Sequence, residues 1–367
     1  MTGRDPDRLY LTYRVFANDR DQVVDAARVE QTIEFPYDLA PEWIQQTVVG
    51  RVEHVDGTDV TLSYDARVLD GAGGMTQFLN VVWGNVSIMD DIKVIVIEPP
   101  RYLFDILPGP RYGIDGMREL TGAIDRPFLA TALKPIGLSA QEMAEEARIL
   151  AEAGLDVIKD DHGLSNQPWA PWSDRVKAVS EAVAEANAKT GGSTIYMPSM
   201  NMPVDQLFDR AYEAKEYGAT GLCILPGVTS FDSIRALRMD DELALPIMGH
   251  PAMIGSYAVN ARQGFEAGLL YGMLMRLAGS DLAVYANYGG RFGPSKEDVV
   301  SIRDNCWKQL GPMKQTLPTA GGGMSLETLP NMIDMYGNDG AFLIGGALRR
   351  GNLRANAEAM RAALVEN

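Results

Sequence analysis

The chain has 367 residues, enough for one large domain or two ordinary ones. Apolar residues make up 46% and charged residues 22%, a balance that supports a full hydrophobic core rather than disorder. The net charge of −16 argues against a nucleic-acid-binding stripe and against anionic membrane surfaces, and no run of about eighteen apolar residues could span a bilayer.

In chain order, Leu9–Phe16 has the pattern of a strand and Asp19–Ile33 the spacing of a helix. Val48–Val55 and Val60–Tyr64 alternate around Asp56-Gly57, a strong hairpin signal. Met75–Val86 is predicted helical although Gly84 interrupts it, and Ile92–Ile97 is a fully apolar strand. The order βαββαβ predicts a ferredoxin-like α+β domain over residues 1–115, with the proline- and glycine-rich stretch Pro99–Gly113 as connector.

From about residue 126 the pattern becomes strand, loop, helix, repeated. Predicted strands are Phe128–Leu133, Leu155–Ile158, Thr194–Met197, Gly221–Leu225, Pro246–Gly249, Leu282–Ala286, Leu317–Ala320 and Ala341–Ile344. Eight strands alternating with helices predict a (β/α)8 TIM barrel over residues 116–367, with an open doubly wound sheet as the alternative. Cys223 lies in an apolar run and reads as a buried thiol, Cys306 is the only other cysteine, and Met1–Asp7 is polar, unlike a signal peptide. A reducing, cytoplasmic setting follows.

Chemistry in such folds collects at the carboxyl ends of the strands. Read in order, those ends carry Lys134, then Lys159, Asp161 and His162, then Asn201, His250, Asn287 and Arg291. Gly321-Gly322-Gly323 follows the seventh strand and Gly345-Gly346 the eighth, where exposed backbone N–H groups can cradle a phosphate; tight turns are the competing explanation. Lys134 could move a proton or extend to solvent. His250 could position a substrate oxygen or be structural. Lys159–His162 alone fits a solvated loop as well as a site.

Together these residues resemble the ribulose bisphosphate carboxylase large-subunit superfamily, specifically its RuBisCO-like branch. The resemblance rests on ATALKPIGLS (130–139), GLDVIKDDHGLSNQP (154–168), MGHPAM (248–253), NYGGRF (287–292), PTAGGGM (318–324) and LIGGA (343–347), with Glu30-Gln31-Thr32 and Gly84-Asn85 upstream. It implies a CO2-derived carbamate on Lys159 and Mg2+ held by that carbamate and Asp161, with His162 as a weaker ligand. It makes Lys134 the acid/base lysine and places His250 and Arg291 among the catalytic groups. Gly322, Gly323, Gly345 and Gly346 would hold a phosphate, and Asn85 and Glu30 would complete a partner's site, so a homodimer is the smallest active unit.

The departures from the carboxylase pattern point away from carbon fixation. His162 stands where carboxylating members carry a glutamate, Pro251 where an arginine follows the fifth-strand histidine, and Tyr285 where a sixth-strand histidine is expected. Arg291 replaces the mobile-loop lysine, and Ile136-Gly137 leaves the first motif without its second lysine. The expected substrate is a small ketose with one phosphate, of the 5-methylthioribulose-1-phosphate type, enolised or isomerised. A decarboxylase of a 3-oxo sugar-acid phosphate and a non-catalytic binding protein are the alternatives.

Overall fold

The computed structural model describes residues 4–69, 74–290 and 293–365. Its thirteen strands are β1 (Arg8–Val15), β2 (Arg51–Asp56), β3 (Asp59–Asp65), β4 (Ile92–Glu98), β5 (Phe128–Leu133), β6 (Val157–Asp160), β7 (Ile195–Met197), β8 (Leu222–Ile224), β9 (Ile247–Gly249), β10 (Gly264–Phe265), β11 (Leu282–Ala286), β12 (Leu317–Gly321) and β13 (Ala341–Leu343). They form two sheets, β10-β4-β1-β3-β2 and β7-β6-β5-β13-β12-β11-β9-β8.

The first sheet has the ferredoxin-like order with antiparallel β4-β1-β3-β2. Gly57, at φ 57°, makes the hairpin turn between β2 and β3 that Asp56-Gly57 predicts. The helix from Met75 stops at Trp83, where Gly84 leaves the helical region at ψ −105° in a position whose Cβ would stand 2.4 Å from the Asn80 carbonyl oxygen; a short 3-10 turn, Asn85–Ile88, follows. The fifth strand, β10, comes from a loop of the second half of the chain and pairs in parallel with β4.

The second sheet is all parallel and curls into a barrel. Its end strands meet where Cys223 N–H donates to the Pro198 carbonyl and Met200 N–H to the Cys223 carbonyl, each at 2.9 Å, which excludes the open doubly wound sheet. The interior is a separate apolar cluster that includes Phe128, Ala130, Val157, Met197, Cys223 and Met248. Their neighbours Leu129, Ile158, Tyr196 and Ile224 face the helices instead, as a period of two requires. Helix Ala140–Glu152 starts on a capping box in which Ser139 and Glu142 bond each other's backbone. Acids at the amino end of the barrel are structural: Asp156 holds Arg126 in two 2.6 Å bonds, and Asp281 accepts from Tyr112, Gly113 and Ile247 N–H groups. Among the described residues no helix is long and apolar enough to cross a membrane.

Candidate active site

The second barrel strand differs from its sequence expectation. An apolar run ends at Ile158, yet β6 continues through Asp160, so Lys159 is a strand residue and not the first residue after the strand. Lys159 is cross-registered with Ala132 and Met197. Counting by twos from Val157, Lys159 and Asp161 point into the barrel and Asp160 points out. The strand tolerates this polar tip because each group is satisfied. Asp160 is fully buried and accepts from Arg175 Nε at 3.0 Å, Tyr196 Oη at 2.9 Å and Ser199 N–H at 3.1 Å. Arg175, equally buried, also donates to the Ala170 and Ser165 carbonyls. Neither Asp160 nor Arg175 stood out in the sequence; the alternation of a two-aspartate tip was the available signal.

Inside the mouth, Lys159 is 1% exposed and its Nζ donates to the Asp160 carbonyl at 2.7 Å. Lys134, at the end of β5, is ion-paired with Asp161. Asp161 also accepts Gly163 N–H at 3.1 Å. Burial alone would raise the Asp161 carboxyl, but Lys134, the Gly163 N–H and Lys159 together hold it below its ordinary value. His162 lies with Nδ1 3.4 Å from the same carboxylate and stacks on His250, ring centres 4.4 Å apart and planes 14° apart. Burial lowers His162 while Asp161 opposes the shift. Burial, reinforced by Lys159, His162 and Lys134, pushes His250 well below its ordinary value, so it is neutral near pH 7. Its Nδ1 accepts Ala252 N–H at 3.2 Å, which leaves the proton on Nε2.

Five of the sequence candidates, Lys134, Lys159, Asp161, His162 and His250, are thus brought together. The glycine turns follow the neighbouring strands β12 and β13. Gly322 and Gly323 have φ of 86° and 83°, so their turn requires glycine on conformational grounds. Gly345 and Gly346 carry no such requirement. A side chain at Gly345 would meet only the Lys134 Cε, 4.0 Å away, and at Gly346 nothing. Space there is left open beside the lysine.

Other candidates fall differently. Arg291 lies outside the described residues. Asn85 donates to Glu30 at 3.1 Å, so that pair forms on the amino-terminal domain. Asn201 donates to the His162 carbonyl at 3.4 Å and ties the loops after β6 and β7. Asn287 is buried, with Nδ2 3.0 Å from Met332 Sδ and Oδ1 without a partner among the described residues. Tyr285 faces outward and bonds Tyr336 Oη at 2.7 Å, so it does not occupy a mouth position; Leu282 and Val284 are inward residues of β11, and the alternation puts Ala286 on the same side.

Comparison with known proteins gives the family. The family model for the ribulose bisphosphate carboxylase large chain, catalytic domain, matches residues 113–365. The 5-methylthioribulose-1-phosphate isomerase of Rhodospirillum rubrum is 35% identical over 93% of this chain and 91% of its own. The 2,3-diketo-5-methylthiopentyl-1-phosphate enolase of Bacillus pumilus is 32% identical over 79% of this chain and 71% of its own. The crystal structure of a rubisco-like protein from Rhodopseudomonas palustris superposes with a TM-score of 0.86 at 33% identity, covering 98% of both chains. The chain belongs to the ribulose bisphosphate carboxylase large-chain family, on its rubisco-like branch.

Proposed function

We propose that the protein enolises and isomerises a ketose monophosphate of the 5-methylthioribulose-1-phosphate type, in sulfur salvage and not in carbon fixation. The observation that carries this reading is the Lys134–Asp161–Lys159 cluster opening onto the Gly345-Gly346 turn. The names of the Rhodospirillum and Bacillus relatives support the same substrate class.

The residues fit Mg2+ on one condition. Among the described residues no three His, Cys, Asp or Glu side chains converge, and Asp161 and His162 supply only two donors. Lys159 fills the third position if its amine carries a carbamate, which turns a buried cation into a carboxylate-like oxygen donor. Bound there, Mg2+ would polarise a substrate carbonyl as a Lewis acid.

The chain's own residues do the rest. Lys134, held beside Asp161, takes the proton from the carbon next to the carbonyl onto Nζ and returns it to the neighbouring carbon, so that the proton balance over the isomerisation closes. His250, neutral with Nε2–H free, donates a hydrogen bond to a substrate oxygen and does not take a proton. The N–H groups around Gly322, Gly323, Gly345 and Gly346 hold the single phosphate. Asn85 and Glu30 reach a partner's site, with a homodimer as the working unit.

The test is NMR in D2O with Mg2+, bicarbonate and a panel of ketose monophosphates and 3-oxo sugar-acid phosphates. Deuterium entry next to the carbonyl, with conversion to an isomer, is the expected result. Release of CO2 from an acid without exchange into any ketose would make the protein a decarboxylase. No reaction and no Mg2+ binding would make it a binding protein.

A further inference from the structure

Arg349 and Glu146 were not among the sequence candidates, yet they meet at the heart of the site. Arg349 lies in the 3-10 turn Gly346–Arg349 after β13, and Glu146 in the helix after β5. They form an ion pair with side chains 19% and 10% exposed, across 203 residues of sequence. The guanidinium also donates to three carbonyls: Nε to Lys134 at 3.2 Å, Nη1 to Gly345 at 2.9 Å and Nη2 to Ala132 at 2.6 Å. The Lys134 backbone N–H lies near Glu146 and favours its charged form. Burial raises the Glu146 carboxyl although Arg349 and the Lys134 N–H oppose it, which marks a pair held in a dry place.

We propose that Arg349, anchored by its ion pair with Glu146, is a positioning residue that clamps the Lys134 carbonyl and fastens the Gly345 turn to the same point. Lys134 lies one residue past the end of β5 and precedes a proline, which has no N–H to offer. β5 ends at Leu133, and the Lys134 carbonyl beyond it is held by the Arg349 guanidinium. One planar fork then sets the distance between the proton-transfer amine and the phosphate turn. Lysine at 349 would keep the charge facing Glu146 but has no fixed fork to reach three carbonyls.

The inference rests on the proposed roles of Lys134 and Gly345, and its test separates the two. Arg349→Lys, Arg349→Ala and Glu146→Gln are compared with the unaltered protein by thermal unfolding, residue-resolved amide hydrogen exchange, inorganic phosphate binding and kcat and KM. The expected result is a Tm within a few degrees for Arg349→Lys, with faster exchange confined to Lys134 and the 344–349 turn. Phosphate affinity and kcat should fall about 10- to 100-fold, the scale on which misplaced supporting groups act. Arg349→Lys matching the unaltered protein in exchange and turnover would overturn the proposal. So would a uniform rise in exchange across the barrel, since the pair would then serve only overall stability. If the unaltered protein binds no phosphate while exchange at Lys134 still responds, the phosphate assignment fails and the clamp stands.

Discussion

Replacing Lys159 by methionine separates its value to the fold from its value to the site. The ammonium is 1% exposed, has one carbonyl partner at 2.7 Å and forms no ion pair among the described residues. Losing that hydrogen bond costs about 1 kcal/mol. Removing a buried charge that lacks a full shell returns several kcal/mol of desolvation, offset in part by the lost attraction to the Asp161 carboxylate. Methionine keeps an unbranched stem of similar length, so no large cavity opens. The balance for Lys159→Met is a gain of about 0–2 kcal/mol by the same reasoning. An unfolding entropy near 2.1 cal/mol/K per residue gives roughly 0.8 kcal/mol/K for 367 residues, so Tm rises by at most ~3 °C. Calorimetric unfolding measures this, while titration with Mg2+ at fixed bicarbonate and 13C NMR with labelled bicarbonate follow the site. The expected outcome is an equal or higher Tm with loss of Mg2+ binding and of the carbamate signal. A Tm lower by several degrees would refute the energetic argument, and Mg2+ binding that still depends on bicarbonate would refute the assignment of Lys159.

The two glycine turns should respond differently to alanine. Gly322→Ala places a side chain at φ 86° and should cost about 1–2 kcal/mol in urea unfolding, whereas Gly345→Ala should leave stability within about 0.5 kcal/mol and weaken phosphate binding. Asp160→Asn leaves the buried Arg175 guanidinium without its counter-charge, and a loss of about 3 kcal/mol by denaturant titration is expected. His250, whose folded value lies well below that of the unfolded chain, binds its proton more readily when unfolded. It therefore contributes stability fully above about pH 6.5 that is lost as pH falls toward the folded value. His250→Gln should flatten that part of the stability–pH curve, and an unchanged slope would contradict the assignment.

Much of the fold was legible because apolar residues recur at periods the backbone imposes. Phe128–Leu133 is found at its expected bounds, and the eight barrel strands lie where apolar runs sit between helical stretches. What escaped was structure whose cause lies elsewhere in the chain. A two-residue strand such as Gly264–Phe265 has no period, and it exists because β4 offers an open edge. Hydrophobicity marks where a strand is greasy and not where its ladder ends, so the polar tip of β6 reads as loop in the sequence. Asp160 stays in the strand through Arg175, Tyr196 and Ser199, which lie 15, 36 and 39 residues away.

The site shows the same division. Lys134, Lys159, Asp161, His162 and His250 could be picked out because their chemistry resides in side chains at strand ends. Arg349 could not, since three of its partners are backbone carbonyls, which leave no mark on the sequence. The geometry also gives His162 a meaning that its identity alone did not. With Lys159 as a plain amine, the mouth holds two lysine cations against one carboxylate, a poor setting for a divalent cation. A carbamate on Lys159 reverses that balance, leaving two anions against Lys134. A glutamate at 162 would deepen the negative charge further. The histidine instead stays neutral and stacks on His250, fixing the ring whose Nε2–H faces the substrate in the proposed reaction. On that reading the chain exchanges some of its hold on the metal for a positioned hydrogen-bond donor, a trade suited to moving a proton along a sugar and not to adding CO2 to one.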